Sequence, residues 1–379
     1  MNFRRMTKRT SGFSLLELMV AMALGLVVLG AATQLFKLSM TTSSLVSNRT
    51  EMQQNVRAAL TMISNDVSLA GAGLPPGGIQ LPTGAGNAGL SRFACDQTSK
   101  CYLNNNSYAN GTVGTAPSVP VWNYMYGLMS GSANGMEKGG PATIPATGGI
   151  PDAVTVVYVD GSYALDQFIG AYPDATGTRI TLTAPVPMPA TLLPATDPGV
   201  GIKVGDLLMV TTSKGSAVGE VSIVSPLATT GATVTFSNGD TLNVNQSGAA
   251  SNTLLTILTG AGTPVTVRRL LAISYFIEVP TTGQLPRLMR QVNGNIPQPV
   301  ADNMIDLQID YDLCDTGNTT ATCANTVDPL AVNLSPNEIH KVSIALMGQS
   351  LTSNGKDSQS MRLTTAVSAR NLTFRDRYQ

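Results

Sequence analysis

Charge is scarce in this chain. Only 12% of its 379 residues are charged, against ~25% in typical soluble proteins. The formal net charge is zero, so nothing points to a nucleic-acid partner or an acidic one. Histidine is nearly missing: His340 is the only one. With one histidine and no G-x-S-x-G segment, the usual Ser-His-Asp arrangement has little support. There is no Walker loop and no metalloprotease motif either. These absences lead to an expectation of no enzymatic activity and no cofactor.

Cysteine is also sparse, with four residues in two local pairs. Five residues separate Cys95 from Cys101, and eight separate Cys314 from Cys323. Neither pair has C-x2-C spacing, which argues against zinc. An even count in close pairs, within polar stretches of a chain that looks exported, reads as two small disulfide loops. Connectivity does not follow from sequence.

What the chain does have is concentrated at its start. Arg4, Arg5, Lys8 and Arg9 stand in residues 1–12 with no acid. Removing these four leaves 19 basic against 23 acidic side chains. Then comes FSLLELMVAMALGLVVLGAATQLFKL, residues 13–38, uncharged from Leu18 to Phe36. Nineteen helical residues span about 28 Å, close to a ~30 Å hydrocarbon core. The preceding positive charge keeps residues 1–12 cytoplasmic and places the chain beyond Leu38 outside. A secretory signal would be cut after its apolar stretch, beside small residues. Here the small residue that stands out, Gly12, precedes it. Glu17 lies inside the apolar segment. A carboxylate in lipid is costly, so such a residue implies a function and a partner.

The segment Gly12-Phe13-Ser14-Leu15-Leu16-Glu17, with its basic leader and apolar helix, resembles the prepilin signature of type IV pilins and type II secretion pseudopilins. The resemblance implies cleavage by prepilin peptidase between Gly12 and Phe13 and N-methylation of Phe13. It also implies pairing of Glu17 with the N-terminal amine of a neighbouring subunit. A buried carboxylate is tolerable when so paired.

No proline occurs between Phe13 and Leu74, so the helix is expected to continue past the membrane. Met52, Val56, Ala59, Leu60, Ile63 and Val67 recur at spacings of three and four and form one apolar stripe. Gly71, Gly73, Pro75 and Pro76 then stop it. The rest reads as strands at 153–159, 178–183, 206–212, 218–224, 232–236, 254–258, 264–278, 304–313, 339–347 and 361–374. The expected fold is α+β and pilin-like: a long N-terminal helix, transmembrane in its first half, packed on an antiparallel β-sheet with β-rich and loop insertions. Its parts are a leader (1–12), a transmembrane assembly helix (13–38), an amphipathic continuation (39–73) and a β-rich globular extracytoplasmic domain (74–379).

Several apparent motifs have plainer readings. Gly84, Gly86 and Gly89 fit G-x-G-x-x-G but lack the flanking strand and helix of a dinucleotide site. Trp122, Tyr124 and Tyr126 alternate as sheet packing would, or as an aromatic binding surface. Asp306, Asp310, Asp312 and Asp315 lack EF-hand spacing and read as acids facing water from a half-buried strand.

Beyond the signature, Leu270 to Phe276, Leu288-Met289-Arg290, Met304 to Leu313 and Val367 to Asn371 resemble minor pilins of the PilW type. That implies a minor pilin that primes pilus assembly and sits at or near the tip. Its partners would be other minor pilins, the major pilin, the inner-membrane assembly platform and prepilin peptidase, with a tip adhesin as a further candidate. Its location would be the inner membrane and then the cell-surface pilus. The alternatives are a minor pseudopilin of type II secretion, and a tip adhesin or DNA-binding subunit.

Overall fold

A computed structural model gives the fold. It describes residues 12–82, 124–131, 136–137, 151–171, 177–227, 230–242, 244–246, 253–258, 265–278, 286–314, 323–327, 335–350 and 359–372. The chain divides into two compact units, residues 1–51 with 350–359, and residues 52–349 with 360–379.

Helix α1 (Leu15–Ser68) is 54 residues long. The first unit holds its part up to Glu51, and apolar side chains there are exposed on every face. The remainder belongs to the second unit, where Met52, Val56, Ala59, Leu60, Ile63 and Val67 are all buried. The three-and-four spacing of the stripe is thus the packing face.

In the second unit β1 (Ile79–Gln80) pairs with β2 (Tyr124–Met125). Strands β3 (Leu128–Gly131), β4 (Met136–Glu137) and β5 (Ala153–Val159) follow. Then come β6 (Ile169–Ala171), β7 (Arg179–Thr183), β8 (Leu207–Thr212), β9 (Gly215–Glu220), β10 (Ile223–Leu227) and β11 (Gly231–Thr235). After the short helix α2 (Leu254–Leu258) the chain forms β12 (Thr266–Glu278), β13 (Arg287–Val292), β14 (Gln298–Asp302), β15 (Met304–Cys314) and β16 (Cys323–Thr326). Strands β17 (Ile339–Gln349) and β18 (Ser360–Ser368) complete it.

The expected antiparallel β structure is divided among several sheets. The largest has eight strands and is built on β12, which pairs with β8 through its first residues, β5 through its middle and β13 through its last. Only the short β4–β12 pairing is parallel among the described strand pairs. Strands β16-β15-β17-β18 form a second sheet and β10-β11-β7-β6 a third. Strand β5 is buried on both faces, so AVTVVYV is apolar without strict alternation. Val154, Val156 and Tyr158 join the helix stripe in one core, with residues of β12, β15 and β17. Ala153 and Val157 join a second core with Leu207, Leu270 and Phe276. A third core belongs to the segment between β5 and β12 and includes Phe168, Leu182, Val234, Phe236 and Ile257.

Four sequence expectations are corrected. Residues 254–258 are helical, not a strand. Leu254, Ile257 and Leu258 sit at helical spacing on the third core, and the Thr253 hydroxyl accepts from the Thr256 N–H at 3.2 Å. The strand expected at 218–224 is broken at Val221–Ser222, where the chain leaves β8 for β11. The strand expected at 361–374 ends at Ser368, and residues 370–372 turn back. Asp306 is buried rather than facing water, and accepts from the Gln308 amide at 2.9 Å.

That last turn closes the helix end. The Asn371 side chain donates to the Ser68 carbonyl at 3.4 Å, one of the carbonyls that a helix terminus leaves without a partner. Gly71 has φ +77°, and a Cβ there would stand 2.7 Å from Leu372 Cδ2. Opposite it, a Cβ on Gly127 would come within 2.4 Å of the Gly71 Cα. Backbone cannot yield as a flexible side-chain tip does. Gly127→Ala is therefore expected to destabilise the fold by about 3 kcal/mol, read as a lower urea midpoint of the detergent-solubilised chain. An unchanged midpoint would contradict this close approach.

Candidate assembly site at the helix N-terminus

Gly12, Phe13 and Ser14 precede α1, and all three are exposed. Phe13 is 86% exposed and Leu15 77%. The helix starts at Leu15 because Ser14 caps it. The Glu17 N–H donates to Ser14 Oγ at 3.2 Å, and the Ser14 N–H donates to Glu17 Oε2 at 3.1 Å. This is a capping box, S-x-x-E, satisfying two backbone donors reciprocally. Along the following turns, Thr33, Thr41, Thr42 and Thr50 hydroxyls donate to carbonyls three or four residues back. Those hydroxyls are thereby satisfied within the helix, which a low-dielectric surrounding requires of Thr33 in the apolar stretch. Among the described residues, α1 is the one helix long and apolar enough to cross a membrane. A helix apolar all round needs a deep protein core or lipid around it.

The other sequence-predicted residues that the structure describes do not gather at this end. Cys95 and Cys101 lie outside the described residues, as do Asp315, Trp122 and the Gly84–Gly89 segment. Cys314 and Cys323 stand directly opposite each other in the β15–β16 register. Tyr124 and Tyr126 have ring centroids 5.7 Å apart, and Tyr126 packs against the second core. Burial, and then the neighbouring Tyr124, push the Tyr126 hydroxyl up from its ordinary pKa. Asp312 pairs with Lys341 at 2.9 Å. The His340 carbonyl accepts from the Ala369 N–H, a structural use of that residue. No group of three or more potential metal ligands occurs among the described residues.

Two buried polar clusters have no counterpart among the sequence expectations. The first holds Asp66, on the last turns of α1. Tyr275 donates to Asp66 Oδ2 at 2.5 Å and Tyr158 donates to Oδ1 at 3.3 Å. The Arg290 guanidinium completes it, with Nη2 3.1 Å from Oδ2 and Nε donating to the Tyr275 hydroxyl at 3.0 Å. Burial first, and then Asp66, push Tyr158 up to about 12 and Tyr275 further still.

The second cluster clips the 237–246 loop onto β9. Asp240 accepts from the Val244 and Asn245 N–H groups at 2.8 and 2.9 Å, while Glu220 Oε2 accepts from the Leu242 N–H at 3.1 Å. The Asn245 side chain donates to the Glu220 carbonyl at 2.7 Å and accepts from its N–H at 2.9 Å. The two carboxyls also hydrogen-bond each other, and burial followed by the Asp240 charge pushes Glu220 up to about 7.

A family model described as the Prokaryotic N-terminal methylation motif matches residues 7–33. No curated protein and no solved structure matches the chain. The motif supports a type IV pilin-like protein or pseudopilin, a substrate of prepilin peptidase that assembles with other pilins. Together with the apolar helix α1, it suits anchoring in a membrane through the N-terminus.

Proposed function

We propose that this protein is a minor pilin of the PilW type that primes assembly of a type IV pilus and resides at or near its tip. One observation carries the reading. From Leu15 onward the segment matching the methylation motif is an uncovered helix, apolar on every face, with one carboxylate in its first turn. Such a surface needs lipid before assembly and other helices after it. In this reading prepilin peptidase cuts between Gly12 and Phe13, Phe13 is N-methylated, and Glu17 pairs with the amine of a neighbouring subunit. The β-rich unit then lies in the periplasm and later on the cell surface. The platform, the major pilin and other minor pilins are the partners. A large subunit suits a start point or tip, because it hinders uniform helical stacking.

Oxidising surroundings would favour closing Cys314 onto Cys323. Their register supports this bond, since opposite residues of an antiparallel pair have Cα atoms about 4.5–5.5 Å apart, within the range of a disulfide. Each bridge, including one from Cys95 to Cys101, is expected to contribute about 2–3 kcal/mol. Non-reduced peptide mapping checks the pairing.

The deciding experiment counts surface pili in a deletion strain, with and without the retraction motor. Loss of pili that is reversed when retraction is disabled supports priming. Normal pili with a secreted enzyme held in the periplasm supports the pseudopilin reading instead. For Glu17→Ala, cleavage is expected to persist and assembly to fail; normal piliation would remove the carboxylate from the mechanism.

A further inference from the structure

We propose that Ser14 is the positioning residue for Glu17, holding the carboxylate ready until a partner subunit arrives. The inference rests on reading Glu17 as the assembly carboxylate and adds what presents it. Two bonds carry it. The Ser14 hydroxyl receives the Glu17 N–H, and the Glu17 carboxylate returns to the Ser14 N–H. The ring so closed draws the acid back along the helix axis, toward the chain's start, instead of letting it extend sideways. The intervening Leu15 and Leu16 are apolar and exposed, and offer it no polar side-chain partner.

A carboxylate in this place is also favoured by the first turn itself. The opening N–H groups of a helix have no partner within it, and the helix dipole places partial positive charge there. An ionised acid surrounded by lipid would otherwise be strongly disfavoured. Ser14 thus gives Glu17 a satisfied state within its own chain. Assembly exchanges that state for the intersubunit pair, and the acid starts from one orientation instead of many.

Substitutions at position 14 separate positioning from plain helix capping. Thr keeps the hydroxyl and both bonds. Ala removes the cap. Asp is as good a cap as Ser, but sets a second negative charge beside Glu17 and disfavours the returning bond. The full chain in lipid nanodiscs would first be followed by amide hydrogen exchange. Ser14 exchange is expected to be slow, about five-fold faster in Glu17→Ala, and unchanged in Glu17→Gln, which keeps the acceptor. The same position-14 variants would then be scored in cells for removal of residues 1–12 and for incorporation into filaments.

The expected result is normal cleavage throughout, wild-type incorporation of Ser14→Thr, and roughly five-fold lower incorporation of Ser14→Ala and Ser14→Asp. Fast exchange at Ser14 in the wild-type chain overturns the inference. So does wild-type incorporation of Ser14→Asp, which reduces Ser14 to a helix cap. A wild-type chain neither cut nor incorporated sinks the pilin reading, while the exchange data still decide whether Ser14 holds Glu17.

Discussion

Replacing Asp66 with alanine is expected to lower the stability of the β-rich unit by about 3 kcal/mol. Asp66 is the one charged side chain on the buried face of α1. Its carboxylate accepts from Tyr275, Tyr158 and Arg290, which belong to three neighbouring strands of the largest sheet. Removing it leaves a guanidinium only 28% exposed without its counter-charge, and two phenols without their acceptor. Deleting one partner of a buried pair costs about 3–5 kcal/mol, and the partial exposure of Arg290 argues for the lower end.

Asp66→Asn is expected to be milder, because an amide oxygen can still accept from Tyr275. Tyr275→Phe should cost about 1.5–3 kcal/mol, the usual scale of a hydrogen bond to a charged group. Replacing both Asp66 and Arg290 with apolar residues should recover part of the loss, since the desolvated charges leave together. Urea unfolding of wild type and these four variants in detergent checks this order. Equal midpoints for wild type and Asp66→Ala would show that the helix is held by its apolar stripe alone.

That stripe was legible in the sequence because its signal is local. Six apolar residues at spacings of three and four lie within four and a half turns, and all six are buried. Asp66 was not legible. It sits beside Val67 on the same face, but its partners lie at positions 158, 275 and 290, and no spacing rule joins them. Residues 254–258 show the opposite failure. LLTIL is a short apolar run that suits a strand or a helix equally, and the Thr253 cap is the cue that decides it.

Strands β13 and β14 also escaped the sequence reading. Each is short, β13 carries Arg287 and Arg290, and β14 contains Pro299 at a sheet edge, where the missing N–H does no harm. At the candidate site, Gly12 and Glu17 stood out because each is odd against the apolar run, and Phe13 followed from the prepilin resemblance. The S-x-x-E capping box was equally present in the letters. It is masked by the larger oddity of an acid in that run, which draws attention to an external partner.

Between pH 4.5 and 7 the wild-type chain is expected to lose stability as pH rises, by up to about 3 kcal/mol. The cause is the Glu220–Asp240 pair. Burial, and then the Asp240 charge, raise Glu220 from 4.5 to about 7. Burial likewise raises Asp240. Below pH 4.5 Glu220 is protonated whether the chain is folded or not, and its stabilising share is fully present. Above it the unfolded chain releases the proton while the folded chain keeps it, so stability falls until the folded group also ionises near pH 7.

Asp206, raised by burial, acts in the same direction. Asp312, lowered by its bonds from Lys341 and Asn325, acts only as pH falls, outside this window. At Asp160 burial is outweighed by the Ser162 hydrogen bonds and Arg269, so that group is lowered too. Tyr158 and Tyr275 stay protonated until far above it. Glu220→Gln isolates the pair. The amide can still accept from the Leu242 N–H and donate to Asp240, without the second charge. It should therefore hold the 237–246 loop equally at pH 5 and pH 8. Wild type should show a clearly lower urea midpoint at pH 8 than at pH 5, and the variant a nearly level one. Parallel pH profiles for the two chains would place the titrating group elsewhere, with Asp206 the next to replace.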